Sequence, residues 1–375
     1  MKQKKILIIT HGFYPENSPR SFRATELAKE LYRQGNQVTL IAPYKDGINN
    51  FLQEYPIKLI SIGKLKWHIF NFSSLGKLGY LYNKLVNRLL PLLFEYPAIE
   101  LFFKIRNALK KEKEVYDLLI SIAVPHPIHW AVASVWNCNN KNNVAKVWVA
   151  DCGDPYMYSL HDTFRKPFYF HFFENKFLKK ADHVSIPFDE MKDLFNKKYR
   201  EKFITIPQGF KFINHNLAIY QPNRVITFSY SGTVMPGSRD PFELINYLEE
   251  LNVNYCFIIY TAQKHLFNKY EKILNKKIIL KDYIKRDQLI YELSKMDFLL
   301  NVNTPLNNGK INAIPSKLID YYFIQRPVLS YEFGYLPKNV VDEFINSNFQ
   351  NQYQFINMDR YKIENVVSQF IALCN

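Results

Sequence analysis

The sequence predicts an α/β protein of two successive doubly wound parallel sheets, on three observations. Its 375 residues make two domains the default expectation, and a hydrophobic fraction of 47% supports two proper cores. Strand-like runs recur with helical stretches between them, and several runs are continuously apolar, as parallel strands covered on both faces require. The alternation lapses once, over 210–224, a linker-like stretch with Asn, Gln and Pro, and then restarts. The expected boundaries are an N-terminal Rossmann-like domain over 1–210 and a C-terminal one over 225–358, with a last helix over 360–375 packing back on the first.

In the first half, strands are expected at 4–10, 37–43, 57–63, 118–123, 146–152, 183–188 and 203–209. Helical patterns cover 21–34, 98–113, 128–136 and 189–198, with Ser21 able to cap the first and Gly35 following it as a C-terminal stop. In the second half, strands are expected at 225–232, 255–262, 277–283, 298–304 and 327–333. The helices between them fall at 241–251, 263–274, 286–296 and 315–323. In such sheets ligands bind at the carboxyl ends of the strands, so two sheets facing each other place the site in the cleft between them.

Composition narrows the function. Cys138, Cys152, Cys256 and Cys374 are scattered without a CxxC spacing, which argues against zinc and against a disulfide framework and fits a reducing compartment. No stretch carries the 18 or so uncharged apolar residues of a membrane span, and the basic start followed by the short apolar run 6–10 does not read as a signal peptide. A net charge of +15 with 16% aromatics describes a surface that seeks phosphate: nucleic acid, anionic lipid or a phosphorylated substrate. Between 61 and 110, Lys64, Lys66, Lys77, Lys84, Arg88, Lys104, Arg106 and Lys110 oppose only Glu95 and Glu100, among many aromatic and leucine residues. That is the composition of an interfacial amphipathic segment; the plainer reading is a pair of core helices with solvated basic faces.

Five post-strand segments carry candidate chemistry, each with a plainer alternative. The loop from His11-Gly12 to Arg20 and Arg23 lies between a strand and an amphipathic helix, where an anion could be held, and it lacks the GxGxxG of a dinucleotide site. Solvated arginines are its alternative. His126, between Pro125 and Pro127, has a fixed backbone after a strand; a lone His is more often structural. Asp151-Cys-Gly153-Asp154-Pro155 puts two carboxylates at the end of a buried strand, with an ordinary turn as the alternative. Ser231-Gly232, then Arg239 before the Pro241 helix, could let a backbone approach a ligand and an Arg grip phosphate, or could be a turn with Asp240 as a cap. Pro315-Ser316-Lys317, with Asp320 one turn further in, offers a helix N-terminus, a cation for phosphate and a carboxylate for hydroxyls. An ordinary αβ unit is the alternative there.

Taken together these segments resemble the retaining GT-B glycosyltransferases of family 4, especially bacterial ones that build capsule, O-antigen or exopolysaccharide. The resemblance covers nearly the whole chain: the Phe13-Tyr-Pro-Glu16 loop, Asp151-x-Gly-Asp-Pro155, Ile206-Pro-Gln-Gly-Phe210, Tyr230-Ser-Gly-Thr233 and Arg239-Asp-Pro241. It implies two Rossmann-like domains facing across a cleft, and transfer of a hexosyl-type sugar from a nucleotide sugar, most simply a UDP-sugar, to a saccharide acceptor. It implies a donor site of Gly232, Arg239, Asn312, Ser316, Lys317 and Asp320. Arg239, Lys317 and the helix N-terminus at Ser316 would neutralise the leaving diphosphate in place of a metal, so neither metal nor cofactor is needed. It places His126, Asp151 and Asp154 as catalytic residues on the acceptor side, with Gly12 and Arg20 near a phosphate. The family has two Glu separated by seven residues ahead of Gly-x-Pro-Val; here Asn312 and Asp320 stand in those places. Asn312 can hold a sugar hydroxyl but cannot stabilise positive charge on the donor sugar. The segment 61–110 would rest on the anionic inner face of the cell membrane, where a lipid-diphosphate-linked acceptor lies, making a cytoplasmic peripheral protein. Two alternatives share the architecture: an inactive partner of an active transferase, which Asn312 favours, and a sugar-nucleotide epimerase. Nucleic-acid binding rests on charge alone, without a motif.

Overall fold

Short apolar runs set the framework. The computed structural model describes residues 3–16, 18–72, 76–138, 142–158, 164–304 and 315–374. The chain forms two compact units, Met1–Phe212 with Met358–Asn375, and Ile213–Asn357.

The first unit holds seven strands: β1 (Lys5–Thr10), β2 (Gln37–Ala42), β3 (Lys58–Ser61), β4 (Tyr116–Ala123), β5 (Ala145–Cys152), β6 (His183–Ile186) and β7 (Phe203–Thr205). Their order is β3-β2-β1-β4-β5-β6-β7, and every pairing is parallel. The second holds β8 (Thr227–Ser231), β9 (Cys256–Tyr260), β10 (Ile278–Lys281), β11 (Phe298–Asn303) and β12 (Val328–Glu332), in the parallel order β10-β9-β8-β11-β12. Both orders reverse direction beside the first strand, between β1 and β4 and between β8 and β11. Loops leaving those strands diverge there and open a crevice at the carboxyl edge.

Eleven helices cover these sheets among the described residues: α1 (Pro19–Arg33), α2 (Ile48–Glu54), α3 (Gly76–Phe94), α4 (Glu100–Lys111), α5 (Pro127–Val135), α6 (Phe170–Lys180), α7 (Phe242–Glu250), α8 (Arg286–Leu293), α9 (Ser316–Ile324), α10 (Lys338–Ile345) and α11 (Ile363–Ala372). Alternate strand residues feed opposite faces of the first sheet. Ile6, Ile8, Leu118 and Ile120 pack with Leu27 and Leu31 of α1 and with Val366 and Phe370 of α11. Leu7, Ile9, Leu119 and Trp148 pack with Ile105 of α4, Ala131 of α5 and Phe177 of α6.

Several expectations are corrected in detail. Ser18, not Ser21, caps α1: its hydroxyl accepts the Ser21 amide at 3.2 Å. The helix expected at 189–198 is two 3₁₀ turns, Asp189–Leu194 and Lys197–Lys202, because only Met191 of these twelve residues is buried and no apolar stripe anchors a longer helix. The one expected at 263–274 is a 3₁₀ turn, Lys264–Tyr270, with Phe267 alone buried. Helices α2, α6 and α10 were not expected; α6 is so rich in phenylalanine that its apolar spacing does not read as one face.

The helix α3 leaves more large apolar side chains in water than any other described helix. Leu78, Leu81, Leu85, Leu89 and Phe94 are exposed, by 78% at Leu78. The extended segment beside it is clamped on by side-chain amides: Asn83 accepts the Phe72 amide at 2.7 Å, and Asn87 accepts that of Phe70 at 3.1 Å. Trp67 and Phe70 both stack on Tyr96. Among the described residues no helix is long and apolar enough to cross a membrane.

Candidate functional site

In the first unit the carboxyl edge gathers His11 and Gly12 after β1, His126 after β4, and Gly153 and Asp154 after β5. Arg20, in the first turn of α1, reaches across to Asp154 at 3.4 Å, and the Asp154 carboxylate is 53% exposed. Its guanidinium lies so close over Gly153 that a Cβ there would sit 1.5 Å from Cζ; only glycine leaves room for the arginine. The Gly12 carbonyl accepts the Thr10 hydroxyl at 2.8 Å. His11 Nδ1 is buried without a hydrogen-bond partner among the described residues. Burial first, and then the charge of Lys45, push the His11 imidazole down to about 4.

His126 is buried beneath this edge. Its Nε2 lies 3.2 Å from the Asp154 carbonyl, so Nε2 carries the proton and Nδ1 is left as a bare acceptor without a partner among the described residues. Burial, with His129 and cationic neighbours, holds the imidazole well below its ordinary range, so it is neutral at physiological pH. The Tyr156 ring packs against it, centroids 4.9 Å apart. Below lies Glu174, pushed up by burial to about 7 while accepting the Met157 amide at 3.2 Å.

Asp151 stands apart from this edge. Arg23 Nε and Nη2 grip its two oxygens at 2.5 and 2.6 Å, and Ser185 donates to it at 2.6 Å. The same guanidinium donates to the carbonyls of Pro207 and Ile206. With both partners buried, Asp151 is a fastener between α1, β5, β6 and the segment after β7, not a group open to an acceptor hydroxyl. Cys152 and His129 also come together, Sγ to Nε2 at 3.4 Å, but burial pushes the thiol up and holds the imidazole down at about 3. Both are neutral, and no thiolate nucleophile results.

In the second unit the crevice beside β8 is lined by cations. Gly232 follows β8 with a φ of 128°, a conformation side chains rarely adopt, and donates to the Tyr260 carbonyl at 3.0 Å. Lys317, the second residue of α9, turns its ammonium inward over the Tyr230 ring, 4.3 Å from the centroid. The nitrogen is shut off from solvent and has no hydrogen-bond partner among the described residues. Burial first, and then the neighbouring Arg239 charge, lower Lys317 to about 7. Among the described residues the Arg239 side chain donates through Nη2 to the Met235 sulfur at 3.4 Å, and its buried Nε has no hydrogen-bond partner. Asp240 beside it is occupied, accepting the amides of Gly237 and Phe242 at 2.7 and 3.1 Å.

The N-cap of α9 is Pro315, which makes no side-chain cap, and Lys317 in the first turn brings its ammonium near Arg239. Asp320, one turn on, is paired with Arg286 from the start of α8: Nε and Nη2 meet the same oxygen, Oδ1, at 2.9 and 2.6 Å. Burial raises the Asp320 carboxyl against this pull. Asn312 lies outside the described residues. Among the described residues no carboxylate is bound to Lys317 or Arg239, and the N-cap of α9 adds no side-chain hydrogen bond, so two cations stand together beside a helix start. Among the described residues no group of three or more His, Cys, Asp and Glu could hold a metal ion.

Sequence reading missed Arg286 and Lys45, and took Tyr230 only as part of the Tyr230-Ser-Gly-Thr233 stretch, not as the ring under Lys317. No local signal shows these contacts: Arg286 stands 34 residues from Asp320, and Tyr230 lies 87 positions before Lys317.

No family model and no curated protein matches the chain. Solved structures do. HepE of Anabaena, in complex with UDP-glucose, is 13% identical with a TM-score of 0.56, covering 99% of each chain. A glycosyltransferase of Rickettsia africae is 12% identical with a TM-score of 0.58, over 100% of this chain and 98% of that one. TarM is 12% identical with a TM-score of 0.58, over 99% and 95%. Two wholly parallel sheets of seven and five strands, matched from end to end by these structures, give this chain the GT-B fold.

Proposed function

We propose that this protein is a metal-independent, retaining glycosyltransferase resembling family 4, which moves a hexosyl-type sugar from a nucleotide sugar to a saccharide acceptor. The observation that carries this reading is Lys317, a buried ammonium with no partner among the described residues, near Arg239 and in the first turn of a helix whose N-cap makes no side-chain hydrogen bond. A buried cation without an anion is unfavourable until an anion arrives, and a nucleoside diphosphate brings the matching charge. When the glycosidic bond breaks, negative charge grows on the leaving diphosphate, where Lys317, Arg239 and the amides at Ser316 can stabilise it. Gly232 allows the donor close to the backbone. The second oxygen of Asp320, which Arg286 does not use, can accept from ribose hydroxyls. The UDP-glucose bound to HepE supports a UDP-sugar as the donor.

On the acceptor side, Asp154 with its exposed carboxylate can orient a hydroxyl, with Arg20 beside it for a phosphate and His126, buried with a bare Nδ1, as the neutral imidazole beneath them. Asp151 serves this site by holding Arg23. The acceptor reading is a lipid-diphosphate-linked saccharide in surface-polysaccharide synthesis, reached from the inner leaflet. Its support is the exposed apolar face of α3 with Lys84 and Arg88 among it.

A thermal-shift screen against UDP-, GDP-, ADP- and dTDP-sugars without metal tests the donor reading. One nucleotide class is expected to raise the melting temperature of the parent and to leave Lys317→Met and Arg239→Ala unmoved. Equal shifts in parent and both variants would displace the diphosphate from this site.

A further inference from the structure

The helix α3 ends at Phe94, and the residue that turns the chain out of it is Glu95, with a φ of 53°. Gly or Asn is usual there, and a residue with a larger side chain is less stable in that conformation. The Glu95 side chain accounts for the choice. Its carboxylate turns inward, forms an ion pair with Lys166 and accepts the Tyr156 hydroxyl at 3.0 Å. The two charged side chains are only 12% and 17% exposed, so the pair is held in one geometry. Tyr156 belongs to the loop after β5 that carries Gly153 and Asp154, and its ring rests on His126. Lys166 lies over the same ring, 5.0 Å from its centroid. Three side chains thus bridge the end of α3 to the His126 pocket.

The outer surface is also continuous across this bridge. Arg88 of α3 lies 4.3 Å over the Phe164 ring, and the Tyr169 hydroxyl donates to the Leu93 carbonyl. Phe164, Phe168 and Phe172 are exposed, Phe168 by 84%, beside the exposed leucines of α3. Lys84, Arg88, Arg165 and Lys176 accompany these apolar groups. An apolar patch this wide, with cations and no solvent-facing carboxylate from either segment, fits an anionic lipid surface.

We propose that α3 and residues 164–172 form one lipid-contacting face, and that Glu95 is the strut through which seating of that face on an anionic bilayer sets the 153–158 loop at His126. The inference rests on the membrane reading above. Glu95 is a positioning residue: it acts on the pocket through Tyr156. A shift of α3 on the bilayer would reach the loop by this link, since the last turn of α3 is fastened by polar contacts to Lys166, Tyr156 and Tyr169.

Hydrogen exchange on the full chain, with and without vesicles of equal parts phosphatidylglycerol and phosphatidylcholine, tests it. Vesicles are expected to slow exchange over 78–94 and 164–172, and to change exchange over 153–158 several-fold. Glu95→Gln and Tyr156→Phe are expected to bind the vesicles like the parent and to lose the change over 153–158. Tyr156→Phe keeps the ring on His126, so it remains informative if Glu95→Gln misfolds. A parent that binds vesicles with 153–158 unmoved, or variants that keep the change, would overturn the coupling and leave the membrane reading standing. A parent that ignores the vesicles would overturn both.

Discussion

At the scale of single residues, Lys317 makes the donor reading quantitative. Its pKa of about 7 lies below the ordinary 10.5, so between these values the unfolded chain holds a proton that the folded protein lacks. Stability without ligand therefore rises with pH across that window, and the lost stability is fully expressed below about 7. A bound diphosphate reverses the balance, because an anion against the ammonium favours the charged form. Binding at pH 8 is then accompanied by proton uptake, and affinity falls by up to about tenfold per pH unit between 7 and 9. Calorimetry with UDP in two buffers of different ionisation enthalpy would read both. A pH-independent affinity with no proton uptake would mean that the ammonium does not meet the diphosphate.

At the scale of elements, the Arg23–Asp151 pair separates framework from site. Removing one partner of a buried pair leaves the other charge buried and unpaired, so Asp151→Asn is expected to cost about 3–5 kcal/mol of stability. Asp154→Asn, on an exposed carboxylate, is expected to change it by less than about 0.5 kcal/mol. Urea midpoints at neutral pH would compare the two, and equal midpoints would return Asp151 to the open edge. The same pair shows what the sequence made legible. That Asp151 and Asp154 end a buried strand could be read from the continuous apolar run before them. That one faces inward and the other solvent could not, because the decision belongs to Arg23, 128 residues away. Strands β1, β4, β5 and β11 were plain for the same local reason, whereas α6 is helical through tertiary packing of Phe170, Phe177 and Leu178. Its own periodicity does not say so. The exposed face of α3 was visible as composition, but its clamp by Asn83 and Asn87 and its tie to Tyr156 are contacts between distant segments.

At the scale of the whole molecule, the chain leaves the first unit after Phe212 and returns to it at Met358, so the last eighteen residues complete a core begun at the first strand. The return is fixed by backbone: the Phe210 amide donates to the Tyr361 carbonyl at 2.8 Å, and the Ile363 amide to the Phe210 carbonyl at 2.9 Å. Ile363, Val366, Val367 and Phe370 of α11 are all at most 1% exposed, packed with Ala24, Leu27 and Leu31 of α1. At about 1.5–3 kcal/mol for each buried side chain, their removal forfeits roughly 6–12 kcal/mol. That is comparable to the whole stability of an ordinary domain, about 5–15 kcal/mol. A chain ending at Asn357 is therefore expected to lose the first unit while the second, whose sheet and core use none of the deleted residues, stays folded. Limited proteolysis followed by mass spectrometry would show this as rapid cleavage throughout 3–212 with a resistant fragment from 213–357. Equal resistance of both halves in the truncated chain would mean that α11 only covers a core able to stand without it.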